Sequence, residues 1–368
     1  MIVNVTSRAK FVFAEAPCAL ALPVFEDSLP VESLLLDEAD ARTIARWHEK
    51  GLVRGKAEEV HFLSSTGRRY EGVLLLGLGR REACTTETLR RAAGQGCAAL
   101  SAHRLERVVF DAASVPELAH GIVEGILLGQ YRFDQYKERK PDAAAAPQVD
   151  NITIVLEADA HDVMRHCEQA RLACESANWA RDLANTPPND MTPSRLAGAV
   201  LEMAEDAGCS GEVYHRDQLE ELGMRAFLGV ARGSVEPPTL SVLHYTQESA
   251  TQTIALVGKG ITFDTGGISL KPGQDMHEMK FDMCGAAAVA GAFRAIAALR
   301  PAINVVCVIP ACENAPGGHA QRPGDVVRAY NGKTIEVNNT DAEGRLILAD
   351  ALAYTVDRHR PGLVVDLA

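Results

Sequence analysis

Short apolar runs alternate with helix-like patterns along most of this chain, and this alternation limits its fold more than any other feature. Residues 72–79 and 107–110 are typical of buried strands, and a helical pattern with Ile122 and Ile126 on one face follows them. Residues 303–309 are rich in β-branched side chains, as in a central strand buried on both faces. Strands that alternate with helices predict an α/β fold with a mostly parallel sheet.

The length of the chain predicts more than one domain. A chain of 368 residues is too long for one small core. A long helical pattern stops at residues 185–190, which contain two prolines. We therefore predict an N-terminal α/β layer domain over residues 1–158, a linking helix over 159–184, and a larger α/β domain over 185–368. Residues 141–147 are predicted to form a surface loop.

Charge and cysteine usage exclude several functional classes. The net charge of −12 argues against a general nucleic-acid surface, because affinity for phosphates comes largely from Lys and Arg. The nine cysteines form no CxxC pair, so a structural zinc site of thiolates is not expected and a reducing cytoplasm fits them. No signal peptide and no apolar stretch of membrane-spanning length is apparent. These features predict a cytoplasmic protein without a membrane partner.

Residues 257–267 follow a strand-like run and carry Lys259 and Asp264 between two glycine clusters. Glycines permit tight turns and close backbone approach, and open α/β sheets bind ligands at the carboxyl ends of their strands. A phosphate-binding loop is excluded because no GxxxxGK[ST] pattern is present. A plain glycine turn with solvated charges stays an open alternative for this segment alone.

Two further charged residues follow this segment. Lys271 precedes a proline, so an extended or turn conformation is expected. Asp282 lies between Phe281 and Met283, and a carboxylate in apolar surroundings needs a partner. One alternative is that Asp282 caps a helix that begins near Gly285, a role that can coexist with metal binding.

Segment 339–346 places Asp341, Glu343 and Arg345 within five residues. Two carboxylates and a cation this close cost folding free energy unless something compensates them. A divalent metal ion, with an anion for the arginine, is a natural compensation. The alternative is a helix N-terminus capped by Asp341 with Glu343 in the first turn, which leaves Arg345 unexplained.

Four carboxylates in these segments form a possible ligand set for metal ions. They are Asp264, Asp282, Asp341 and Glu343. Oxygen-rich clusters of this kind hold divalent ions such as Zn²⁺, Mn²⁺ or Mg²⁺, and two such ions can activate water and clamp a reacting carbonyl or phosphoryl group. Lys259 and Lys271 would add a neutral amine ligand and a cationic electrophile. A ligand lysine requires a lowered pKa, which burial beside a dication can supply.

In these motifs the chain resembles the leucyl aminopeptidases, the cytosolic two-zinc metallopeptidases also called cytosol aminopeptidase or aminopeptidase A. Segment 339–346 is the core signature, segments 257–272, 279–283 and 181–189 also match, and the likeness is clear from about Tyr131 onwards. The resemblance implies a hydrolase that removes N-terminal residues, preferably leucine and similar residues, from peptides. It also implies two divalent metal ions and a bicarbonate ion as cofactors, and a cytoplasmic homo-hexamer.

Carried over by position, the resemblance assigns a metal ligand set. The tightly bound ion would be held by Lys259, Asp264, Asp282 and Glu343. The exchangeable ion would be held by Asp264, Asp341 and Glu343. Asp264 and Glu343 would therefore bridge the two ions.

The resemblance also assigns roles beside the metal ions. Lys271 would polarise the scissile carbonyl and stabilise the gem-diolate, and Arg345 would hold the bicarbonate that acts as general base for the attacking water. Met279 would form a wall of the pocket for the first side chain of the substrate, and Asn339 would be a nearby substrate contact. The free α-amine of the substrate would bind a metal ion, which accounts for exopeptidase specificity.

The sequence departs from the family pattern at its C-terminus. The chain stops at Ala368, whereas in the family this strand runs into a Thr-Leu-Thr-Gly loop that lines the substrate pocket, and then into the rest of the catalytic domain. The metal ligands are all present, but part of the pocket and of the hexamer surface is not. We therefore expect a C-terminally incomplete catalytic domain with an exposed strand edge, weakly active or inactive by itself.

Two alternatives remain beside the peptidase. Some members of the family bind DNA as accessory proteins, so a non-catalytic, DNA-binding or truncated subunit is one of them, although the acidic charge disfavours nucleic acid. A different two-metal hydrolase, such as a phosphatase, is the other. It is disfavoured because the site lacks histidine ligands and the ordered signature fits peptide hydrolysis.

Overall fold

A computed structural model describes residues 1–28, 33–138 and 147–368. The chain forms two compact units, Met1–Glu175 and Ser176–Ala368, each built around its own sheet. The predicted α/β fold with two domains is confirmed. The boundary between the units falls within a long helix, and the finer limits at 158 and 184 stay predictions. The predicted loop over 141–147 lies outside the described residues, apart from Pro147.

The first unit contains a six-stranded sheet flanked by helices. Its elements in chain order are β1 (Ile2–Ser7), β2 (Ala19–Val24), α1 (Glu38–Glu49), β3 (Val60–Ser64), β4 (Gly72–Gly77), α2 (Thr86–Ala102), β5 (Arg107–Asp111), α3 (His120–Gly129) and β6 (Asn151–Leu156). The strand order is β1-β6-β5-β2-β4-β3, and every neighbouring pair is parallel except β3 and β4. All residues of β2 and β4 are buried, as expected of central strands covered on both faces.

Helices α2 and α3 pack closely because glycines line their contact. A Cβ at Gly125 would lie 2.2 Å from the carbonyl oxygen of Arg90, and a Cβ at Gly129 would lie 2.8 Å from Cα of Gly94. A side chain at either position would therefore push the two helices apart.

The second unit contains the other main sheet. Helix α4 (His161–Asn185) leads into it, and its further elements are α5 (Pro193–Asp206), β7 (Ser210–Tyr214), α6 (Arg216–Glu221), α7 (Arg225–Ala231), β8 (Thr239–Tyr245), β9 (Thr253–Gly258), β10 (Gly260–Asp264), α8 (Cys284–Leu299), β11 (Asn304–Asn314), β12 (Val326–Arg328), β13 (Thr334–Glu336), α9 (Glu343–His359) and β14 (Leu363–Leu367). The sheet order is β14-β9-β11-β8-β7, β10 also pairs with β11, and β12 and β13 form a separate hairpin.

This sheet is mostly parallel, as predicted. Strands β14, β9, β11 and β10 run in one direction, and only the pairings of β8 with β11 and with β7 are antiparallel. The segment 257–267, predicted as a loop, contains strand β10. A strand forms there because Ile261 and Phe263 are apolar and pair in parallel with the end of β11.

Helix α8 approaches the sheet closely through two glycines. A Cβ at Gly258 would lie 2.4 Å from a methyl carbon of Val289, and a Cβ at Gly285 would lie 2.2 Å from the carbonyl oxygen of Leu367. Eight residues of α8 are buried, among them Phe293. The small residues of this helix therefore bring its N-terminus against the carboxyl ends of β9 and β14.

One helical stretch corrects the expectation that no apolar run reaches membrane-spanning length. Within the described ranges, Met276–Leu299 is long and apolar enough for such a span by length and composition. Half of its most apolar window is buried inside the protein, as in a core helix, so the stretch is weak evidence for a membrane.

Strand β14 forms an edge of the second sheet. Among the described residues it pairs with β9 alone, and Leu363, Val365 and Leu367 are exposed. An exposed edge with apolar side chains, as expected from the sequence, is therefore present.

Candidate metal centre

The predicted site residues converge at the carboxyl edge of the second sheet. Lys259 joins β9 to β10, and Asp264 is the last residue of β10. Asp282 lies in a 3₁₀ stretch, Met276–Met283, directly before α8. Asp341 precedes α9, and Glu343 is the first residue of that helix. Segments distant in sequence thus meet where parallel strands end, which is the usual ligand position in such sheets.

The ammonium group of Lys259 lies between two carboxylates. Its Nζ is 2.7 Å from Oδ1 of Asp282 and 2.8 Å from Oε1 of Glu343. Its backbone is held equally firmly, because its N–H donates to the carbonyl of Leu367 at 2.8 Å and its carbonyl accepts from Ala286 at 2.8 Å. Strand β14 and helix α8 therefore fix the position from which Lys259 extends.

The ammonium group of Lys271 lies between the other two carboxylates. Its Nζ is 2.9 Å from Oδ2 of Asp264 and 2.5 Å from Oδ1 of Asp341. Gly266 and Gly267 allow the chain to turn back towards Lys271, because both have positive φ angles, of 87° and 69°. The site therefore holds two ammonium groups and four carboxylates.

Three of these carboxylates form a compact group. One oxygen from each of Asp264, Asp341 and Glu343 lies within 4.8 Å of the others. Asp264 and Glu343 are 3% and 2% exposed, and Asp341 is half-buried. Oδ2 of Asp282 and Oε2 of Glu343 are buried and accept no hydrogen bond from the described residues. Buried carboxylate oxygens without partners fit a divalent metal ion, which prefers such ligands.

Electrostatics also favour an additional positive charge here. Burial alone lowers the pKa of Lys259, but its hydrogen bonds to Asp282 and Glu343 outweigh burial and raise that pKa overall. The pKa of Lys271 is likewise raised, by Asp341 and Asp264 against burial. Burial raises the pKa of Asp282 in spite of Lys259.

These pKa directions disagree about the pair of Lys259 and Asp282. A raised lysine pKa favours the ionised pair, whereas a raised aspartate pKa opposes it. We adopt the ionised pair because the two groups are 2.7 Å apart, and we attribute the raised pKa of Asp282 first to burial and then to repulsion from Glu343 and Asp264, since the four carboxylates outnumber the two ammonium groups. A dication would remove this surplus of negative charge.

The helix-cap alternatives for the two aspartates do not hold in the structure. Helix α8 begins at Cys284 behind Met283, and α9 begins at Glu343 behind Ala342; neither has a side-chain cap. Asp282 and Asp341 bind lysines instead. Glu343 does lie in the first turn of α9, where the helix dipole favours a negative charge.

The other predicted residues lie around this centre. Asn339 is exposed, and its Oδ1 accepts the N–H of Asp341 at 2.9 Å, so it shapes the turn before α9. Met279 is half-buried in the 3₁₀ stretch that carries Asp282. Arg345 is exposed on the first turn of α9 and makes no hydrogen bond or ion pair with the described residues.

Two buried polar residues in this region were not predicted from the sequence. Asn314 ends β11, and its Nδ2 donates to Oδ1 of Asp264 at 2.8 Å and to the carbonyl of Thr340 at 3.0 Å. Thr340 Oγ1 donates to the carbonyl of Gly266 at 2.7 Å and accepts the N–H of Ser269 at 2.8 Å. The only signal for Asn314 was a polar residue at the end of an apolar strand.

Known proteins are similar to this chain over both of its units. Residues 21–140 match the N-terminal domain of the cytosol aminopeptidase family, and residues 178–368 match its catalytic domain. A probable cytosol aminopeptidase of Burkholderia thailandensis is 42% identical over 373 residues, which cover 98% of this chain and 73% of that protein. A probable cytosol aminopeptidase of Solibacter usitatus is 44% identical over 343 residues, which cover 91% and 68%.

A solved structure is also similar to this chain in fold and sequence. The bottromycin maturation enzyme BotP in complex with Mn has a TM-score of 0.81 and 34% identity, and the match covers 95% of this chain and 72% of that one. The family match, together with the acidic centre at the carboxyl edge of the sheet, places the chain in the class of metal-dependent hydrolases. The chain belongs to the cytosol aminopeptidase family, a family of metal-dependent aminopeptidases, and the resemblance recognised in the sequence is confirmed.

Proposed function

We propose that this centre holds two divalent metal ions and removes N-terminal residues, preferably leucine and similar residues, from peptides. The observation that carries the proposal is the group of carboxylates from Asp264, Asp341 and Glu343, whose oxygens lie within 4.8 Å of one another. Divalent ions bound there would supply Lewis acidity and an activated water.

The positions of the side chains support the ligand assignment that the family resemblance implies. Lys259 contacts both Asp282 and Glu343 and would form one end of the site with them, and Asp264 and Glu343 would be the ligands shared by the two ions. Asp341 would complete the other end. As a ligand, Lys259 would have to lose its proton, so its raised pKa predicts that metal binding releases a proton.

Lys271 and Arg345 are the proposed catalytic residues. The ammonium of Lys271 would stabilise negative charge on the carbonyl oxygen of the substrate, since Lys271 is the more exposed of the two lysines, at 23% against 14% for Lys259. The guanidinium of Arg345 is exposed and has no partner among the described residues, so it is available to hold bicarbonate. Bicarbonate held by Arg345 would supply a general base to the site.

Preference for leucine is supported by apolar side chains on the segments that carry the site. Ile268 and Leu270 lie between Asp264 and Lys271 in the sequence and are 45% and 61% exposed. Phe281, next to Asp282, is 40% exposed. With Met279 as the proposed pocket wall and Asn339 as a substrate contact, these residues offer an apolar surface for a leucine side chain.

Metal identity, location and assembly are parts of the same proposal. Carboxylate and amine ligands accept Zn²⁺, Mn²⁺ or Co²⁺, and the related BotP was solved with Mn, so we propose Mn²⁺ or Zn²⁺. All nine cysteines are free thiols, which suits a reducing cytoplasm. A homo-hexamer is proposed from the family resemblance alone.

Metal binding and peptide hydrolysis test the proposal together. The purified chain is loaded with MnCl₂ or ZnCl₂, its metal content is measured, and hydrolysis of leucine and glutamate p-nitroanilides is compared. We expect up to two ions per chain and faster hydrolysis of the leucine substrate. Asp341→Ala and Glu343→Ala should each lose metal and activity.

A control variant tests whether the loss of any carboxylate, rather than of a site carboxylate, reduces metal binding and activity. Glu336 is an exposed carboxylate on β13, and Glu336→Ala should retain metal content and rate. If Asp341→Ala and Glu343→Ala kept both metal ions and the full rate, the proposed site would be wrong. If the chain bound two ions and hydrolysed neither substrate, the proposed ligands would still be supported, but the proposed peptidase activity of this chain would be wrong.

A further inference from the structure

We propose that Asn314 is a positioning residue whose side-chain amide fixes the carboxylate of Asp264 and, through Thr340, the backbone before Asp341. The inference rests on the proposed metal centre. It concerns which oxygen of Asp264 faces the metal ions and how the two carboxylate-bearing segments are held at a constant separation.

The amide of Asn314 uses both of its N–H groups on these segments. Nδ2 donates to Oδ1 of Asp264 at 2.8 Å and to the carbonyl oxygen of Thr340 at 3.0 Å. Asn314 and Asp264 are 2% and 3% exposed, so water does not compete for these bonds. Hydrogen bonds that are buried and accepted by a charged oxygen are among the stronger ones.

These bonds determine how the Asp264 carboxylate is rotated. Oδ1 also accepts the N–H of Gly266 at 2.9 Å, so two donors hold that oxygen. Oδ2 has neither of these donors and faces Lys271, whose Nζ lies 2.9 Å away. A carboxylate with one oxygen fixed in this way offers the other oxygen in a single direction, which is what a metal ligand requires.

The second amide bond acts on the segment that carries Asp341. Thr340 is 1% exposed, and its Oγ1 bonds to Gly266 and Ser269. Its N–H also donates to Oγ of Ser269 at 3.2 Å. Because Asp341 follows Thr340 directly, fixing the Thr340 peptide places Asp341 relative to Asp264.

The backbone of Asn314 supports the loop independently of its side chain. The N–H and the hydroxyl of Thr265 both bond to the carbonyl oxygen of Asn314, at 2.9 and 2.8 Å. Loss of the amide would therefore leave the N–H of Gly266 as the one remaining donor to Oδ1 of Asp264 among the described residues, while the loop stays attached to β11. A variant of Asn314 therefore tests the role of the side-chain amide in positioning Asp264, because the backbone bonds that support the loop remain.

The same strand offers a matched control. Asn304 is the first residue of β11, at the opposite end from the site, and its Oδ1 accepts the N–H of Gln247 at 2.9 Å. Asn314→Leu and Asn304→Leu each replace a hydrogen-bonding amide on β11 by an apolar side chain of similar size. Asn314→Ser is a second, smaller variant that remains informative if Asn314→Leu does not fold.

The experiment measures Mn²⁺ affinity and stability of the full chain separately. Free Mn²⁺ is titrated by electron paramagnetic resonance at one pH, and unfolding is followed by circular dichroism without added metal. We expect the Mn²⁺ dissociation constant to rise about 10- to 100-fold in both Asn314 variants and to stay unchanged in Asn304→Leu. Asn304→Leu should lose less stability than Asn314→Leu, because Asn304 is only half-buried and water can replace its amide.

The outcomes distinguish this inference from the proposed function. If wild type binds Mn²⁺ and the Asn314 variants bind it equally well, Asn314 has only a structural role and the inference is overturned. An equal loss of affinity in Asn304→Leu would overturn it too, since the effect would then come from general destabilisation. If wild type itself does not bind Mn²⁺, the proposed metal centre fails, and this inference fails with it.

Discussion

Gly344 leaves free the space that the side chain of Lys259 occupies. A Cβ at position 344 would lie 2.6 Å from Cε and 2.8 Å from Nζ of Lys259. No real Cβ tolerates such distances, so any larger residue at this position must displace the end of the lysine. Gly344 lies in the first turn of α9 and does not have a positive φ angle, so its backbone conformation does not require glycine. The site requires glycine there because a side chain would occupy the space of Lys259.

Gly344→Ala should weaken metal binding more than it disturbs folding. The end of the Lys259 side chain can move, but its Nζ then loses its place between Asp282 and the buried Glu343, so we expect the unfolding free energy to fall by about 1–3 kcal/mol. The Mn²⁺ dissociation constant should rise at least about tenfold, measured by paramagnetic resonance titration.

A glycine in another helix is the control for this change. Gly198 lies within α5, and a Cβ there would meet no atom within 4 Å. Gly198→Ala should raise the unfolding free energy by about 0.5–1 kcal/mol, because alanine loses less backbone entropy on folding, and should leave Mn²⁺ affinity unchanged. Wild-type affinity in Gly344→Ala would contradict the proposed role of Lys259.

Asp350 stabilises the second unit because its carboxylate accepts hydrogen bonds from backbone N–H groups at a position that water does not reach. It is 0% exposed in α9, and its two oxygens accept the N–H of Phe227 at 2.9 Å and of Tyr330 at 2.7 Å. Asp350→Ala leaves two donors without partners and should lower the unfolding free energy by about 2–6 kcal/mol, at about 1–3 kcal/mol for each. Urea denaturation followed by circular dichroism measures this.

Asp357 on the same helix provides the comparison. It is 66% exposed and accepts the hydroxyl of Tyr330 at 2.7 Å. Asp357→Ala should cost less than about 1 kcal/mol because water replaces the lost partner. If the two variants lost the same unfolding free energy, burial of the Asp350 carboxylate would not be the reason for its contribution to stability.

Gln321 should be a site where an apolar residue stabilises the protein. It is 3% exposed, and neither Oε1 nor Nε2 has a hydrogen-bond partner among the described residues. A buried amide without partners costs about 1–3 kcal/mol, so Gln321→Met should raise the unfolding free energy by roughly 1 kcal/mol or more. The melting temperature of the variant tests this directly.

Gln130 serves as the control for Gln321, because its side-chain amide does have hydrogen-bond partners. Its amide donates to the carbonyl of Val149 at 3.0 Å and accepts the N–H of Val149 at 2.9 Å. Gln130→Met should therefore lower the melting temperature. A comparable fall in Gln321→Met would mean that internal water satisfies the Gln321 amide.

The sequence was sufficient for the architecture and for the charged part of the site. Apolar runs such as β4 and β11, and the stop after α4, follow from local periodicity and from proline chemistry, which a sequence displays directly. The rule that ligands lie at the carboxyl ends of parallel strands predicted the position of Lys259 and Asp264, and the family resemblance implied their convergence with segment 339–346.

The parts that the sequence did not predict depend on tertiary contacts. Strand β10 lies in a glycine-rich segment whose strand character comes from pairing with β11. Whether Asp282 caps a helix or binds Lys259 depends on the path of another segment. Asn314 and Thr340 carry no motif, since their role arises from the two loops that they join.

The bond from the Lys259 amide to the Leu367 carbonyl has a consequence for how the protein is made. During translation Lys259 leaves the ribosome well before β14, so its backbone has no acceptor until that strand has emerged and paired with β9. Until then the carboxylates of the site belong to a nascent chain without a fixed arrangement. Metal capture should therefore follow the synthesis of β14 and its pairing with β9, and a ribosome stalled before residue 363 would hold a chain that cannot complete its centre.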